Sequence, residues 1–326
     1  MKALIIGAGG IAHHHIKSLM KLNVEIYGVY DIREENAKKL AETYLTHVVT
    51  DLDTALQEAD IVYLLTPPST RLDYVRKIAV YNKPLFMEKP VAVSISDALA
   101  MEMILEENNM IAMVGFTQRF RKGYQKLQTL LEAGTLGEIV QAFVVRMGPG
   151  PGYTGTLEDS WRTDRKYVCG MAIESLSHDI DFMQSLAGEI TIVEGQVKGT
   201  VSSLPQFDNN ADAVLCFKDG AIGTITCSWS SAVAYNVKGI IGTKGTAILS
   251  GEDIWDNTVF TWETKDGKEE KESLDDIFQA GEGYLEESRY FLSCILKGQK
   301  PVCDMTTGRK ALEVSHAILD TSQKRG

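Results

Sequence analysis

Three groups of residues in this chain combine types and spacings that can do chemistry. The first is Glu174, His178 and Asp181, within residues 170–187, GMAIESLSHDIDFMQSLA. On a helix, a carboxylate four residues before an imidazole can hydrogen-bond one ring nitrogen, fix the tautomer and leave the other nitrogen as a general base. The same spacing also describes an ordinary surface pair with a solvated histidine. The second is Lys89, in Glu88-Lys89-Pro90. Between a buried strand and a proline its backbone is held extended near the sheet's carboxyl edge. There an ammonium can hydrogen-bond a hydroxyl and stabilise a developing alkoxide, whereas a lone loop lysine is otherwise simply solvated. The third is Gly7-x-Gly9-x-x-Ala12, directly after the apolar run of residues 3–6. Gly7 permits a tight turn, Gly9 lets the backbone approach a pyrophosphate, and Ala12 lets the helix lie close to the sheet. The N–H groups of Gly10 and Ile11, at the helix start, face the anion. This stretch predicts dinucleotide binding.

The elements around these residues alternate in a regular way. Residues 24–30 (VEIYGVY) read as a second strand with Asp31 at its end. An acidic residue about 20 positions past the glycines accepts hydrogen bonds from the adenosine ribose hydroxyls. It also repels a 2′-phosphate, so NAD is favoured. Ile32 and Arg33 follow, and Arg33 can stack on adenine or receive a phosphate, which leaves NADP open. Asp31 as a cap for a helix over 34–44 is the alternative. Residues 59–65 (ADIVYLL) form another buried strand leading into Thr66-Pro67-Pro68-Ser69-Thr70. Loops at strand carboxyl ends form the ligand crevice of an open parallel sheet, although Pro-Pro-Ser is also an ordinary helix start. Helices over 71–81 and 95–108 and strands over 84–87 and 111–115 complete a doubly wound parallel sheet.

Past Phe116 the character changes. A helix over 124–133 and a strand over 138–147 precede the 170–187 segment, where Ile173, Leu176, Ile180, Met183 and Ala187 make one apolar helical stripe. Beyond Ile190, strands are broken by Asp219-Gly220, Lys244-Gly245 and Asp266-Gly267, which predicts a mainly antiparallel sheet. Helices over 283–297 and 306–324 close the chain.

The 326 residues suffice for two domains, placed at 1–118 and 119–326. A formal net charge of −11 argues against nucleic-acid binding, which needs a basic face. No apolar run approaches a membrane span, and the apolar start reads as a strand, not a signal peptide. Five scattered cysteines without metal-ligand spacing suit reduced thiols in a cytoplasmic enzyme. His13-His14-His15 point about 100° apart on a helix and cannot converge on one ion, so no metal is expected.

Gly7-x-Gly9-x-x-Ala12, Glu88-Lys89-Pro90 and Ser177-His178-Asp179-Ile180-Asp181, in that order and spacing, resemble the glucose–fructose oxidoreductase/inositol dehydrogenase (Gfo/Idh/MocA) family. The similarity covers nearly the whole chain, including Trp161-Arg162 and the closing ALEVSHAILDTSQKRG. It implies an N-terminal Rossmann domain and a C-terminal α/β domain with a large open sheet. It also implies that the last helix, about 306–324, returns to the nucleotide domain, and that homodimers or homotetramers form through the sheet. In the family pattern Lys89 assists the reacting hydroxyl and His178 is the acid/base. The residue four before the histidine, usually Asp, is Glu174 here, and its extra methylene can still reach the ring. Arg119, Trp161 and Arg162 join Lys89, Glu174 and His178 as implied substrate contacts, while Arg165 and Lys166 are further candidates for gripping an anion. Where the family commonly has His after the 66–70 loop, this chain has Arg71.

The resemblance thus implies an NAD(P)-dependent oxidoreductase. It would pass a hydride between the nicotinamide and a secondary alcohol or ketone of a sugar, cyclitol or related polyol. Two alternatives keep the fold: a glycoside hydrolase or lyase working through transient oxidation by tightly bound NAD, and a non-catalytic dinucleotide sensor.

Overall fold

A computed structural model of the chain describes residues 1–157, 161–163, 169–274 and 282–324; Arg165 and Lys166 lie outside them. The chain divides into two compact units, Met1–Phe120 with Ala280–Lys310, and Arg121–Gln279 with Ala311–Gly326.

The first unit alternates strand and helix: β1 (Lys2–Ile6), α1 (Gly10–Lys21), β2 (Glu25–Tyr30), α2 (Glu34–Tyr44), α3 (Leu52–Glu58), β3 (Ile61–Leu64), α4 (Arg71–Val80), β4 (Leu85–Glu88), α5 (Ile95–Glu107) and β5 (Ala112–Gly115). The strands pair in parallel in the order β2-β1-β3-β4-β5. Such a sheet is covered on both faces, and the continuous apolar runs of β1, β3, β4 and β5 are accordingly buried. The chain runs outward from β1 to β2, then crosses back to place β3 on the other side of β1. The topological switch therefore lies between β1 and β3, where open α/β sheets bind their ligands, outside the carboxyl ends of the strands.

The second unit contains α6 (Lys122–Glu132), β6 (Ile139–Pro149), α7 (Met171–Glu174), α8 (Leu176–Ala187), β7 (Ile190–Lys198), β8 (Asn210–Phe217), β9 (Ile222–Ser228), β10 (Ser230–Gly242), β11 (Gly245–Gly251), β12 (Val259–Thr264) and β13 (Glu269–Ser273). Its eight-stranded sheet runs β13-β12-β11-β10-β6-β9-β8-β7, antiparallel throughout except for β6 and β9. The expected turns appear with Gly220 and Gly267 at φ +89° and +85°, a region glycine enters without strain. The chain closes with α9 (Glu282–Lys297), in the first unit, and α10 (Met305–Gln323), which begins in the first unit and ends in the second.

The two rims of the large sheet are finished differently. On β7, the N–H groups of Gly195 and Val197 donate to Thr321 Oγ1 and Ser322 Oγ of α10, each at 3.0 Å. On β13, the sequence EEKES is mostly exposed and charged.

Two features depart from the expectations. A short helix, α3, lies between α2 and β3; Asp51 caps it by accepting from the Asp53 N–H at 3.1 Å. The 170–187 segment is not one helix: α7 ends at Glu174 and α8 starts at Leu176, with Ser175 between them. The stripe of Ile173, Leu176, Ile180, Met183 and Ala187 is nonetheless buried.

Candidate active site

The carboxyl ends of the first unit's strands carry the candidate cofactor residues. β1 runs into Gly7 at φ +105°, where an added Cβ would lie 2.7 Å from the Leu65 carbonyl carbon and 2.9 Å from the Thr66 nitrogen. Both backbone conformation and space therefore require glycine, and that requirement brings the β1 turn against the loop after β3. Gly9 and Gly10, in contrast, face open space: nothing lies within 4 Å of a Cβ built on either. Gly9 is the N-cap of α1 and supplies no side chain to cap it, and no acidic residue occupies the first turn. Amides opening a helix onto empty space beside a glycine turn fit a pyrophosphate.

Asp31 closes the end of β2. Its Oδ2 accepts the Ala8 N–H at 2.7 Å and its Oδ1 accepts the Arg33 N–H at 2.8 Å. It does not cap α2: the N-cap position there is Arg33, without a side-chain cap. The carboxylate instead ties the glycine turn to the end of β2. Next to it Ile32 is 85% exposed, an apolar side chain of the kind a planar base covers. After β3, Thr66 is buried, Thr70 Oγ1 donates to Thr66 Oγ1 at 3.1 Å, and Pro68 starts a 3₁₀ turn, Pro68–Thr70. After β4, Glu88 is buried and Lys89 half-buried. Arg119, half-buried, lies in the 3₁₀ turn Thr117–Phe120 after β5.

The second unit holds the other candidates. Glu174 ends α7, and its carboxylate makes a two-pronged pair with Arg162, whose Nε donates to Oε2 at 2.6 Å and whose Nη2 donates to Oε1. The guanidinium carbon also lies 4.5 Å from the centroid of the Trp161 ring. Trp161, Arg162 and Glu174 thus form one assembly, a stacked and bidentate arrangement for which lysine would be no substitute. His178 sits half-buried in the first turn of α8. Asp181, expected on the same polar face, is instead buried.

Beneath His178, α8 packs on β6 and β9. The next residue, Asp179, is fully buried; Arg146 of β6 donates to its Oδ2 through Nη2 at 2.6 Å and Nε at 3.2 Å. Lys238 of β10 donates to Oδ1 at 3.3 Å, and Arg146 Nη2 also donates to Ser175 Oγ at 2.7 Å. Burial pushes the Asp179 carboxyl up, but the Arg146 and Lys238 charges outweigh it and hold it below the usual range. Burial pushes the nearby Cys227 thiol up to about 12, which keeps it neutral. Arg146 and Lys238 therefore fasten the helix start that carries His178 to the sheet.

In the first unit, residues outside the sequence candidates gather at the ends of β3 and β4. Arg71 is buried and donates to backbone carbonyls of the 66–70 loop and of the Glu88–Pro90 turn. His15, the only fully buried member of the histidine run, has Nε2 2.9 Å from Glu88 Oε1. Buried Glu287 of α9 belongs to the same group, its ligand-type oxygen within 4.8 Å of those of His15 and Glu88. His15 shares a helix face with Ala12 and Leu19, a sign readable in the sequence; Arg71 shows there only as a departure from the family pattern, and nothing local marks Glu287.

The comparisons agree with this architecture. Residues 1–116 match the GFO/IDH/MocA oxidoreductase family with its NAD-binding Rossmann fold, and residues 124–248 match the GFO/IDH/MocA C-terminal domain. The chain belongs to this family of NAD-binding oxidoreductases. It is 23% identical to a myo-inositol 2-dehydrogenase of Thermotoga maritima over 335 residues, covering 100% of this chain and 97% of the relative. It is 25% identical to a scyllo-inositol 2-dehydrogenase (NAD(+)) of Bacillus subtilis over 341 residues, covering 98% and 94%. A levoglucosan dehydrogenase solved with NADH and L-sorbose superposes with a TM-score of 0.91 at 17% identity, over 100% of this chain and 97% of that one. Among the described residues no helix is long and apolar enough to cross a membrane.

Proposed function

We propose that this enzyme oxidises a secondary alcohol of a sugar, cyclitol or related polyol, or reduces the corresponding ketone. Bound NAD supplies the hydride acceptor; the chain supplies position and proton transfer. The Lys89 ammonium hydrogen-bonds the substrate hydroxyl and stabilises the oxygen as it gains negative charge. His178 takes the hydroxyl proton as general base. Glu174, held by Arg162, orients His178, and Arg119, Trp161 and Arg162 contact the substrate. Asp31 favours NAD by meeting the ribose hydroxyls and repelling a 2′-phosphate, with Ile32 and Arg33 against the adenine and Thr66, Pro67, Pro68 and Glu88 lining the cofactor. The observation that carries the reading is a lysine half-buried at the carboxyl end of β4, in the same sheet as a glycine turn open for a pyrophosphate. The full-length relatives act in name on inositols.

The test incubates the full chain with NAD and a panel including myo-inositol, scyllo-inositol, levoglucosan and hexose phosphates, and follows NADH absorbance. NADH formation with at least one polyol is expected. Glycoside cleavage without net NADH would replace this reading with the transient-oxidation one, and firm NAD binding without any turnover would replace it with a sensor.

The same reading places the enzyme in the cytoplasm, in keeping with five free cysteines, and makes it a homodimer or homotetramer through the large sheet. Val140, Ile192, Val214 and Ile222 are exposed apolar residues on those strands. Light scattering at micromolar concentration should give a mass above the 36.0 kDa of one chain, and a monomer there would count against it.

A further inference from the structure

We propose that Arg71, backed by Glu88 and His15, is a positioning residue that locks the backbone around Lys89 and joins it to the loop after β3. The inference rests on the reading of Lys89 as the group that meets the reacting hydroxyl.

Arg71 starts α4 and is 2% exposed. Its Nε and Nη2 donate to the Thr66 carbonyl at 3.1 and 2.8 Å, while Nη1 donates to the carbonyls of Glu88 and Pro90. One guanidinium therefore spans both cofactor-edge loops. Glu88 completes the arrangement from the other side: its Oε2 accepts the Lys89 N–H at 3.0 Å, and its Oε1 faces His15 Nε2 at 2.9 Å. The carbonyl before Lys89, its own N–H and the carbonyl after it in Pro90 are thus all engaged by side chains.

Burying these charges carries a heavy desolvation penalty unless they are mutually satisfied. Burial does push the Glu88 carboxyl up, but the His15 hydrogen bond and the charges of His15, Lys89 and Arg71 bring it below the usual range. Ionised, it keeps the acceptor strength that the Lys89 N–H and His15 need. Glu287 faces this group from α9 and accepts the Thr117 hydroxyl at 2.9 Å. A loop that only had to turn would need none of this. A lysine has a long flexible stem, so its ammonium can be aimed only if its Cα is fixed, and a 1 Å error near the reacting atoms can reduce rate by about 10²-fold. The imidazole that the family commonly has at position 71 lacks the fork of donors that reaches three carbonyls.

The test compares full-chain Arg71→Met and Arg71→Lys with the parent. Hydrogen exchange at the Lys89 amide and across residues 66–70 should accelerate together by about 10-fold or more in Arg71→Met, with β1 unchanged. With the polyol that turns over best, kcat should fall about 10–100-fold while the KM for NAD stays within about threefold. Arg71→Lys, which keeps the charge but loses the fork, should recover part of the loss. In a Lys89→Met background, Arg71→Met should lower kcat no further. Unchanged exchange at Lys89 in Arg71→Met, or losses that add in the double variant, would overturn the inference. If Arg71→Met does not fold, Arg71→Lys decides by the same exchange measurement, and exchange also decides if no polyol turns over. Full turnover by Lys89→Met alone would instead sink the reading of Lys89; impaired Lys89→Met beside fully active Arg71→Met would sink only the role of Arg71.

Discussion

His178→Asn is expected to lower kcat for alcohol oxidation by about 10²–10⁴-fold, the usual contribution of a positioned general base. The affinity for NADH should stay within about threefold, because in the proposed reading the residue acts on the substrate proton and not on cofactor binding. Asparagine keeps the size and a hydrogen-bonding edge of the ring but cannot accept and hold the proton. The residue proposed as the base is half-buried, in the first turn of α8, and its neighbour Asp179 pairs with two buried cations. Stopped-flow measurement of NADH formation separates the hydride step from product release. The decisive comparison adds Lys89→Met. If the two residues act on the same hydroxyl, the double variant should be little worse than the poorer single one. His178→Asn with parental turnover would remove this histidine from the chemistry.

The second large effect concerns that anchor. Asp179→Asn should destabilise the chain by about 3–5 kcal/mol, because it leaves Arg146 and Lys238 buried without a counter-charge. All three side chains are at most 2% exposed, so solvent cannot screen the loss. The effect has a pH signature. The folded-state pKa of Asp179 lies below its ordinary value of 3.8, so its contribution is complete above that value and fades as the pH falls through the lower, folded-state one. The parent should therefore lose stability steeply below about pH 4, and Asp179→Asn should lose less over the same interval. Denaturant midpoints across pH 3–7 measure both. A triple replacement, Arg146→Met with Asp179→Leu and Lys238→Met, should regain much of the stability, since apolar groups of similar volume can replace a buried ion cluster. It should not regain turnover if the cluster also sets the pose of His178. An Asp179→Asn midpoint equal to the parent's would show that the cluster carries no such weight.

The parallel sheet was legible because its strands are short apolar runs punctuated by Gly7, Asp31, the Pro67-Pro68 turn and Glu88-Lys89, each at a carboxyl end. The antiparallel sheet was legible in its turns more than in its strands. The break at Ser175 was not: the apolar stripe continues across it, and periodicity reports which face is buried, not whether the hydrogen-bond ladder is unbroken. The anchor below His178 was hidden for a different reason. Nothing in the sequence marks Arg146 or Lys238, since a charged residue in a half-buried strand ordinarily faces solvent, and their partner is 33 and 59 positions away. Arg71 departs from the family pattern, yet its contacts are backbone carbonyls, which no residue type announces. Glu174 was paired by spacing with His178, while its bidentate partner, Arg162, lies twelve positions earlier on a separate turn.

Among the described residues, one rim of the eight-stranded sheet has two of its N–H groups taken by hydroxyls of α10, and the other rim is mostly exposed and charged. A strand rim left bare is a template on which copies can add without limit. If copies associate through the sheet, as proposed, a face laid on its own duplicate about a twofold axis uses itself up in the act. By occupying two N–H groups of β7, Thr321 and Ser322 would then disfavour open-ended addition along that rim. Removing both hydroxyls would reopen the other outcome, growth along the rim.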